Sequence, residues 1–174
     1  VTRLIKIFDS KITPEFFIAN ILYPNNFVNA CKRGDVKSVK AILSDPKSKK
    51  YLKAFYLFRG FESACKEGHI EIIDIIIKNT KGVGKFLETD MTMLFSDVYN
   101  KGHTEVVKLM LNNGDILSKI DVRCLINVFY REYGNDNSEI AEIMVKNPHI
   151  INAFKCCLGK YFISACTRND VDRV

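Results

Sequence analysis

The chain has 174 residues, of which 47% are hydrophobic and 26% charged, with a formal net charge of +6 at pH 7 and a pI near 9.0. This length suits one domain or one uninterrupted repeat array, and the apolar content excludes an intrinsically disordered chain. The positive charge favours acidic partners through long-range attraction.

The first residues show no positively charged leader followed by an apolar run and a small-residue cleavage site. No apolar stretch approaches the roughly 18 residues that a membrane-spanning helix requires. We therefore expect a chain without a membrane partner that works in a reducing intracellular compartment.

Residues 1–24 contain the first predicted helix. Thr13 offers a capping hydroxyl, Pro14 suits the first helical position, and Glu15 places an acid in the first turn. Apolar residues follow at 16–18, 21 and 22. Because the end units of stacked arrays must cover an otherwise exposed apolar face, we predict that this segment is an amphipathic capping helix.

The next part of the chain repeats itself, and three segments align without gaps: residues 27–43, 61–77 and 95–111. Their glycines, Gly34, Gly68 and Gly102, recur at steps of 34 residues. Each copy predicts two short helices around a tight turn. Phe27 is followed by Ala30 and Cys31 at the spacing that places side chains on one helical face. The glycine then supplies the left-handed conformation that ends a helix.

Two further copies are altered. A fourth keeps both helices, over residues 125–131 and 139–145, but its turn from Glu132 to Ser138 is about four residues longer. A fifth begins at Phe162 and stops within its second half, with Asn169 at the glycine position. Asparagine is the next best residue there, since it tolerates the left-handed conformation.

The second and third copies carry a resemblance to a known family. The pattern Ala-Cys-x-x-Gly-His-x-Glu that begins at Ala64, and Gly-His-Thr-Glu-Val-Val-Lys-Leu-Met-Leu from Gly102, resemble ankyrin repeats. The resemblance covers roughly residues 25–174. The family's Thr-Pro-Leu-His opening is missing from the first two copies, and the connector over residues 44–58 lacks its Gly-Ala-Asp-Val-Asn turn, which only Asn113-Gly114 approaches.

This resemblance implies an all-α, right-handed solenoid of stacked helix-turn-helix repeats. Little or no β-hairpin is expected, since the hairpin turn is missing, and longer loops or extra helical turns replace it. The predicted copies span residues 25–58, 59–92, 93–122, 123–159 and an incomplete 160–174.

Six cysteines, at 31, 65, 124, 156, 157 and 166, could form three disulfides whose pairing the sequence does not give. Cys31, Cys65 and Cys166, however, share one repeat position directly after an alanine. This position predicts core packing, because buried cysteine behaves as a small hydrophobe. No second Cys-x-x-Cys or His-x-x-x-His completes a zinc set. We predict no metal site and no cofactor.

The histidines and glycines give no sign of catalysis. His69 and His103 follow the repeat glycines, which predicts turn or capping residues, and His149 stands alone beside a proline. The nearest approach to a phosphate-binding loop, residues 81–85, lacks the required spacing. Without a phosphate cradle, a metal set or an activated nucleophile, we predict that the chain has no catalytic residues and is not an enzyme.

The most informative surface lies at the two positions before each turn glycine, which ankyrin-like arrays commonly present on their concave face. These ten residues are Lys32 and Arg33, Lys66 and Glu67, Asn100 and Lys101, Tyr130 and Arg131, and Thr167 and Arg168. Six are basic and one is acidic. Equivalent positions in stacked repeats form a row, so we predict a partner-binding surface, called the basic ladder below. The same residues also suit solvated helix ends, where the helix dipole favours cations.

We predict a protein–protein interaction scaffold that binds an acidic or mixed surface of another protein through the basic ladder. One alternative is nucleic-acid binding by the ladder, although only Tyr130 offers a ring for stacking bases. Another is the targeting arm of an enzyme or effector whose catalytic part lies outside this chain. The lysine-, isoleucine- and asparagine-rich composition indicates an AT-rich coding sequence. By analogy with divergent ankyrin-like arrays of intracellular pathogens and large viruses, we expect a host-directed module in the host cell cytosol.

Overall fold

The computed structural model describes residues 23–79, 88–133 and 138–156. Regular structure in these ranges is helical throughout, with no strand among them, which confirms the all-α prediction for this part of the chain. The predicted capping helix, in its residues 1–22, and the predicted fifth copy, from residue 160, lie outside these ranges.

The helices are short and follow one another closely. They are α1 (Tyr23–Arg33), α2 (Val36–Ser44), α3 (Pro46–Tyr51), α4 (Ala54–Lys66), α5 (Ile70–Asn79), α6 (Glu88–Asn100), α7 (Thr104–Asn112), α8 (Gly114–Leu117), α9 (Val122–Tyr133) and α10 (Glu139–Lys146). Residues 148–156 form a further helix, α11. The chain divides into two compact units, Val1–Phe86 and Leu87–Val174.

In the first unit, two helix pairs pack against each other. Helix α1 contacts α4 and α2 contacts α5, while α1 also packs on α2 and α4 on α5. Phe27 and Phe61, the first apolar residues of the two copies, are both fully buried between these helices. Burial of a phenylalanine side chain contributes roughly 1.5–3 kcal/mol to the free energy of unfolding. The apolar positions that define the repeat therefore form the core of this unit.

The second unit follows the same plan with a different core. Helix α7 contacts α6, α8 and α10, and α9 contacts α10. Phe95, Met110 and Leu111 are fully buried, and Met144 of α10 is buried with them. Val107 and Val106 of α7 complete this apolar centre. Helix α7 is thus the element around which this unit packs.

All three repeat glycines end their helices in the same way. Their φ angles are +73° at Gly34, +75° at Gly68 and +75° at Gly102, which confirms the predicted left-handed conformation. The glycine N–H donates to the carbonyl three residues earlier, and the next N–H donates to the carbonyl five residues earlier, as in Asp35 N to Ala30 O at 3.0 Å. This pair of bonds is the Schellman motif, which satisfies the last carbonyls of the helix.

The residue after the glycine has a different role in each copy. Asp35 caps α2, because one carboxylate oxygen accepts from the Ser38 N–H at 3.0 Å and the other from the Ser38 hydroxyl at 2.6 Å. These bonds hold the pKa of Asp35 below its ordinary value. His69 instead places Nε2 3.0 Å from the Lys32 carbonyl oxygen of the preceding copy, so its ring links the two helix pairs of the first unit.

Extra helical turns occupy the connectors that the structure describes. They were one of the two predicted alternatives, and longer loops were the other. Asp45 caps α3 by accepting from the Ser48 N–H at 3.0 Å, and Asn113 caps α8 by accepting from the Ile116 N–H at 3.1 Å. Asn113-Gly114, read above as an approach to the ankyrin hairpin turn, is therefore the start of a helix. An Asx residue recurs at 45, 79, 113 and 147, again at steps of 34, and this second periodic signal went unused in the sequence analysis.

The fourth copy departs from the sequence prediction at its turn. Glu132 stands where the first three copies have glycine, yet Glu132 and Tyr133 remain helical and α9 runs past the expected end. Glutamate is a good helix former and strains in the left-handed conformation, so the helix continues. Residues 134–137 lie outside the described ranges, and Ser138 then caps α10 by accepting from the Ala141 N–H at 3.1 Å.

Candidate functional site

The four ladder residues of the first unit lie at the C-terminal ends of α1 and α4. Lys32 and Arg33 are exposed, and so is Glu67. The Lys66 ammonium lies 3.0 Å from a carboxylate oxygen of Glu62 on the same helix, so part of its charge is matched locally. Because Lys66 and Glu67 have opposite charges, the net positive charge of the ladder in this unit comes from Lys32 and Arg33 on α1.

The second unit brings two ladder residues from successive copies into contact. The guanidinium of Arg131 on α9 donates to the side-chain oxygen of Asn100 on α6 at 3.0 Å. The same guanidinium lies over the ring of Tyr99, 5.0 Å from its centroid, a cation–π geometry. Lys101 and Tyr130 are exposed. Thr167 and Arg168 lie outside the described residues.

A groove of about 390 Å³ opens between α6 and α9. Almost all of the side chains that line it are polar or charged: Thr92, Ser96, Tyr99, Asn100, Asp121, Arg123, Cys124, Asn127, Val128 and Arg131. Its volume lies within the range of ligand sites, and its lining residues offer hydroxyl, amide, carboxylate and guanidinium groups for hydrogen bonds. A polar or charged ligand is the chemistry that this lining suits.

Tyr99 lies at one end of the groove, where its hydroxyl is hydrogen-bonded. Its hydroxyl donates to a carboxylate oxygen of Glu132 at 2.6 Å, and the hydroxyl of Ser138 donates to the other oxygen. Burial, followed by the bond to Glu132, raises the pKa of Tyr99 to about 12. The phenol therefore stays protonated and acts as a hydrogen-bond donor. Its bond to Glu132 holds the ring beneath the Arg131 guanidinium.

The other end of the groove is closed by hydrogen bonds to the backbone. The Thr92 hydroxyl accepts from the Asp121 N–H at 2.8 Å and donates to the Lys119 carbonyl at 3.4 Å. One carboxylate oxygen of Asp121 accepts from the Arg123 N–H at 2.7 Å and so caps the start of α9. These bonds tie the N-terminal end of α9 to α6.

Cys124 lies midway along the groove, with its sulfur 3.1 Å from the Ser96 hydroxyl. Burial raises the pKa of Cys124, which keeps the group as a thiol. A thiol is a poor nucleophile, since the thiolate is the reactive form.

A second groove of about 490 Å³ adjoins the first. Tyr99, Asn100 and Arg131 line both of them, whereas Glu132 and Glu139 line only the second. Glu139 forms an ion pair with Lys108, which depresses the pKa of that carboxyl. The charged residues of the second groove are Arg131, Glu132 and Glu139, and those of the first are Asp121, Arg123 and Arg131, so the first groove has the more positive lining.

The buried cysteines behave as the repeat position predicted. Cys31 and Cys65 are fully buried and form no disulfide. Burial raises the pKa of Cys31 to about 12 and that of Cys65 well above its ordinary value. Cys166 lies outside the described residues. The packing interpretation is confirmed at the two positions that the structure describes.

Sequence reasoning found Asn100 and Arg131 but missed most of the groove. Arg123, Asn127 and Arg131 are spaced by four residues, and so are Thr92, Ser96 and Asn100 on the facing helix. Polar residues at this spacing share one helical face. This spacing could have indicated the groove from the sequence. A helix that packs closely against its neighbour needs an apolar face, so a polar stripe on that face indicates an open interface.

Comparisons with family models, with curated proteins and with solved structures find no match for this chain. Among the helices of the described residues, none combines the length and the apolar content needed to cross a membrane.

Proposed function

We propose that this chain is a non-catalytic interaction module, built from stacked ankyrin-like helix pairs, that binds an acidic segment of another protein. The repeat supports this fold, since Gly34, Gly68 and Gly102 form one type of turn at steps of 34 residues. Repeated units of this kind expose equivalent side chains in rows, and such rows serve as extended binding surfaces.

One observation carries the proposal: Asn100 and Arg131, ladder residues of the third and fourth copies, lie side by side at the mouth of a groove. A guanidinium presents a planar fork of donors that matches a carboxylate. Arg131 has Tyr99 beneath it and Asn100 beside it, so its orientation is set before a ligand arrives. Preorganised side chains lose less entropy on binding.

Charge supports the same ligand class. Lys32, Arg33, Lys101 and Arg131 are exposed members of the ladder, and the chain has a formal net charge of +6. Such a distribution attracts an acidic partner over distances up to the Debye length, about 8 Å at physiological salt. By analogy with divergent ankyrin-like arrays of pathogens and viruses, the partner belongs to a host cell and the module acts in its cytosol.

A peptide-binding titration tests the proposal. Fluorescence anisotropy would follow a labelled polyglutamate peptide as it binds the wild-type chain and a variant with Lys32, Arg33, Lys101 and Arg131 all replaced by glutamate. We expect affinity to fall about tenfold or more, since each exposed ion pair contributes up to about 1 kcal/mol and reversal adds repulsion. Equal affinities in the two proteins would refute the proposal.

A matched control separates the ladder from net charge. Replacing the exposed Lys37, Lys47, Lys53 and Lys155 by glutamate changes the formal charge by the same amount at positions outside the ladder. This control should keep most of the wild-type affinity. Far-ultraviolet circular dichroism of all three proteins confirms that the helices remain.

Nucleic-acid binding is a separate outcome of the same assay. A labelled single-stranded oligonucleotide would replace the peptide, and the salt concentration would be varied. Binding by phosphate neutralisation falls steeply with salt, with a slope of about −0.7 per contacted phosphate on single strands. We expect weak binding that disappears near 150 mM salt, a physiological ionic strength. Oligonucleotide binding tighter than peptide binding at that salt would favour the nucleic-acid function instead.

A further inference from the structure

Three side chains of α9 line the groove at a regular spacing. Arg123, Asn127 and Arg131 are four residues apart. An α-helix rises 1.5 Å per residue, so these positions follow one another at about 6 Å and span about 12 Å in all. The stripe presents a positive charge, an amide and a second positive charge in a line.

The facing wall has a matching stripe on α6. Thr92, Ser96 and Asn100 are also four residues apart and also line the groove. Asn100 contacts Arg131 and Ser96 contacts Cys124, so the two stripes run alongside each other. The groove therefore repeats its polar functions along its length at a step of about 6 Å.

An extended peptide has nearly the same step. A β-strand rises about 3.3 Å per residue and turns alternate side chains to one face, which places them about 6.6 Å apart. Residues four apart on such a peptide lie about 13 Å from each other, close to the span from Arg123 to Arg131. The backbone N–H and C=O groups of an extended peptide are unpaired, so the hydroxyl and amide side chains that line the groove can bond them, whereas a helical ligand has already paired its own.

We propose that the groove between α6 and α9 binds an extended peptide with acidic residues four positions apart and a hydrogen-bonding residue midway. Arg131 and Arg123 each bind one carboxylate, while the Asn127 amide bonds the central side chain. This inference rests on the proposed function, and it adds the conformation and the spacing of the ligand.

The two ends of the groove differ in strength. Arg131 lies over Tyr99 and beside Asn100, and the nearby Glu132 has both carboxylate oxygens bonded, by the Tyr99 and Ser138 hydroxyls. Arg123 lies next to the negative charge of Asp121. One oxygen of Asp121 is occupied by the Arg123 N–H, but the carboxylate still repels an incoming acid. The carboxylate at Arg131 therefore contributes more to affinity than the one at Arg123.

The test compares two labelled peptides of equal composition on the full chain. In the matched peptide two glutamates lie four positions apart with an asparagine midway, and in the shifted peptide they lie three apart, which turns them to opposite faces of an extended chain. We expect the matched peptide to bind about fivefold more tightly, a difference of the size that one partly exposed ion pair gives.

Three variants assign the contacts. Arg131→Gln should weaken the matched peptide about fivefold and abolish the preference for its spacing, and Arg123→Gln should weaken it about twofold. Asp121→Asn should strengthen binding about twofold, because asparagine keeps the helix cap and loses the charge. Lys47→Gln, at an exposed residue of the first unit, is the control and should change nothing.

The results of these titrations distinguish a failure of the extended-peptide site from a failure of the proposed function on which it rests. If both peptides bind equally, and reversal of the ladder charges weakens both, the extended-peptide site is overturned and the proposed function stands. Unchanged binding in Arg131→Gln would also overturn it. If neither peptide nor polyglutamate binds, both proposals fail. A spacing preference that disappears in Arg131→Gln and survives in Lys47→Gln supports the site.

Discussion

The helix pair α1 and α4 of the first unit and the helix pair α6 and α9 of the second come from equivalent parts of the repeat but differ at their interface. Gly60 on α4 has no side chain, and a Cβ placed there would lie 2.3 Å from the Phe27 ring and 3.1 Å from the Cys31 sulfur. At the equivalent position α9 has Cys124, whose sulfur meets the Ser96 hydroxyl. The first interface is closed and apolar, and the second is an open polar groove.

A second position sharpens this contrast. Cys31 of α1 is fully buried, whereas Tyr99 at the equivalent place on α6 is partly exposed and bonds Glu132. Glu132 in turn stands where the second copy has Gly68. Each of these positions has a small residue in the first unit and a larger one in the second, although Gly68 ends a helix and does not pack in the interface. The same repeat can therefore form a closed apolar interface in one place and an open polar groove in another, with different residues at a few equivalent positions.

The largest effect is expected at the closed interface. We predict that Gly60→Ala lowers the free energy of unfolding by about 2 kcal/mol, because the added methyl group overpacks a buried contact by more than the gain in helix propensity. Gly114→Ala is the control, since a Cβ there meets no atom within 4 Å. Urea unfolding checks both. Equal stabilities of the two variants would show that α1 and α4 are not held at close distance.

The next effect concerns the turn glycines. Gly34→Ala and Gly102→Ala both force alanine into positive φ, which costs roughly 1 kcal/mol. Only at Gly34 does the new Cβ also approach a neighbour, 2.9 Å from the His69 ring. We predict that Gly34→Ala is the more destabilising by about 1 kcal/mol. Thermal unfolding of both variants measures the difference, and its absence would contradict the ring contact between copies.

The smallest effect is expected at Tyr99. Removing its hydroxyl in Tyr99→Phe should lower the free energy of unfolding by about 1 kcal/mol, the usual net contribution of one hydrogen bond. The pKa of Tyr99 is raised from 10.0 to about 12, so the unfolded chain loses this proton first as pH rises. Stability from this group is therefore present below pH 10 and declines between pH 10 and 12.

Measuring the unfolding free energy of both proteins as a function of pH provides the control for this prediction. The difference in unfolding free energy between the wild-type chain and Tyr99→Phe should shrink across this range, because every other titrating group is common to both proteins. A constant difference up to pH 12, the folded value, would mean that the Tyr99 hydroxyl does not bond Glu132.

Some of this structure follows directly from the sequence. The 34-residue step located the left-handed glycines, and the helical spacing located Phe27, Phe61 and Phe95, all fully buried. These features depend on residues close together in the chain, where backbone sterics and side-chain periodicity decide the outcome. The all-α class follows from the same local signals.

Other features could not be read in this way. The groove is formed by side chains of two copies, and Cys124 lines it at the position where Gly60 packs against Phe27 in the other interface. That is a matter of packing between distant residues. Extra helical turns in the connectors were one of the two predicted alternatives, but their starts at Asp45 and Asn113 were not located, although an Asx followed by proline or glycine can begin a helix.

We expect the groove between α6 and α9 to bind an acidic segment and the closed interface between α1 and α4 not to bind one. Titration of an isotope-labelled chain with the matched peptide, followed by amide chemical shifts, tests this directly. The account predicts saturating shifts at residues lining the groove, over 92–100 and 121–131, with little change over 54–66. Shifts of equal size in both regions, or none at the groove, would contradict it.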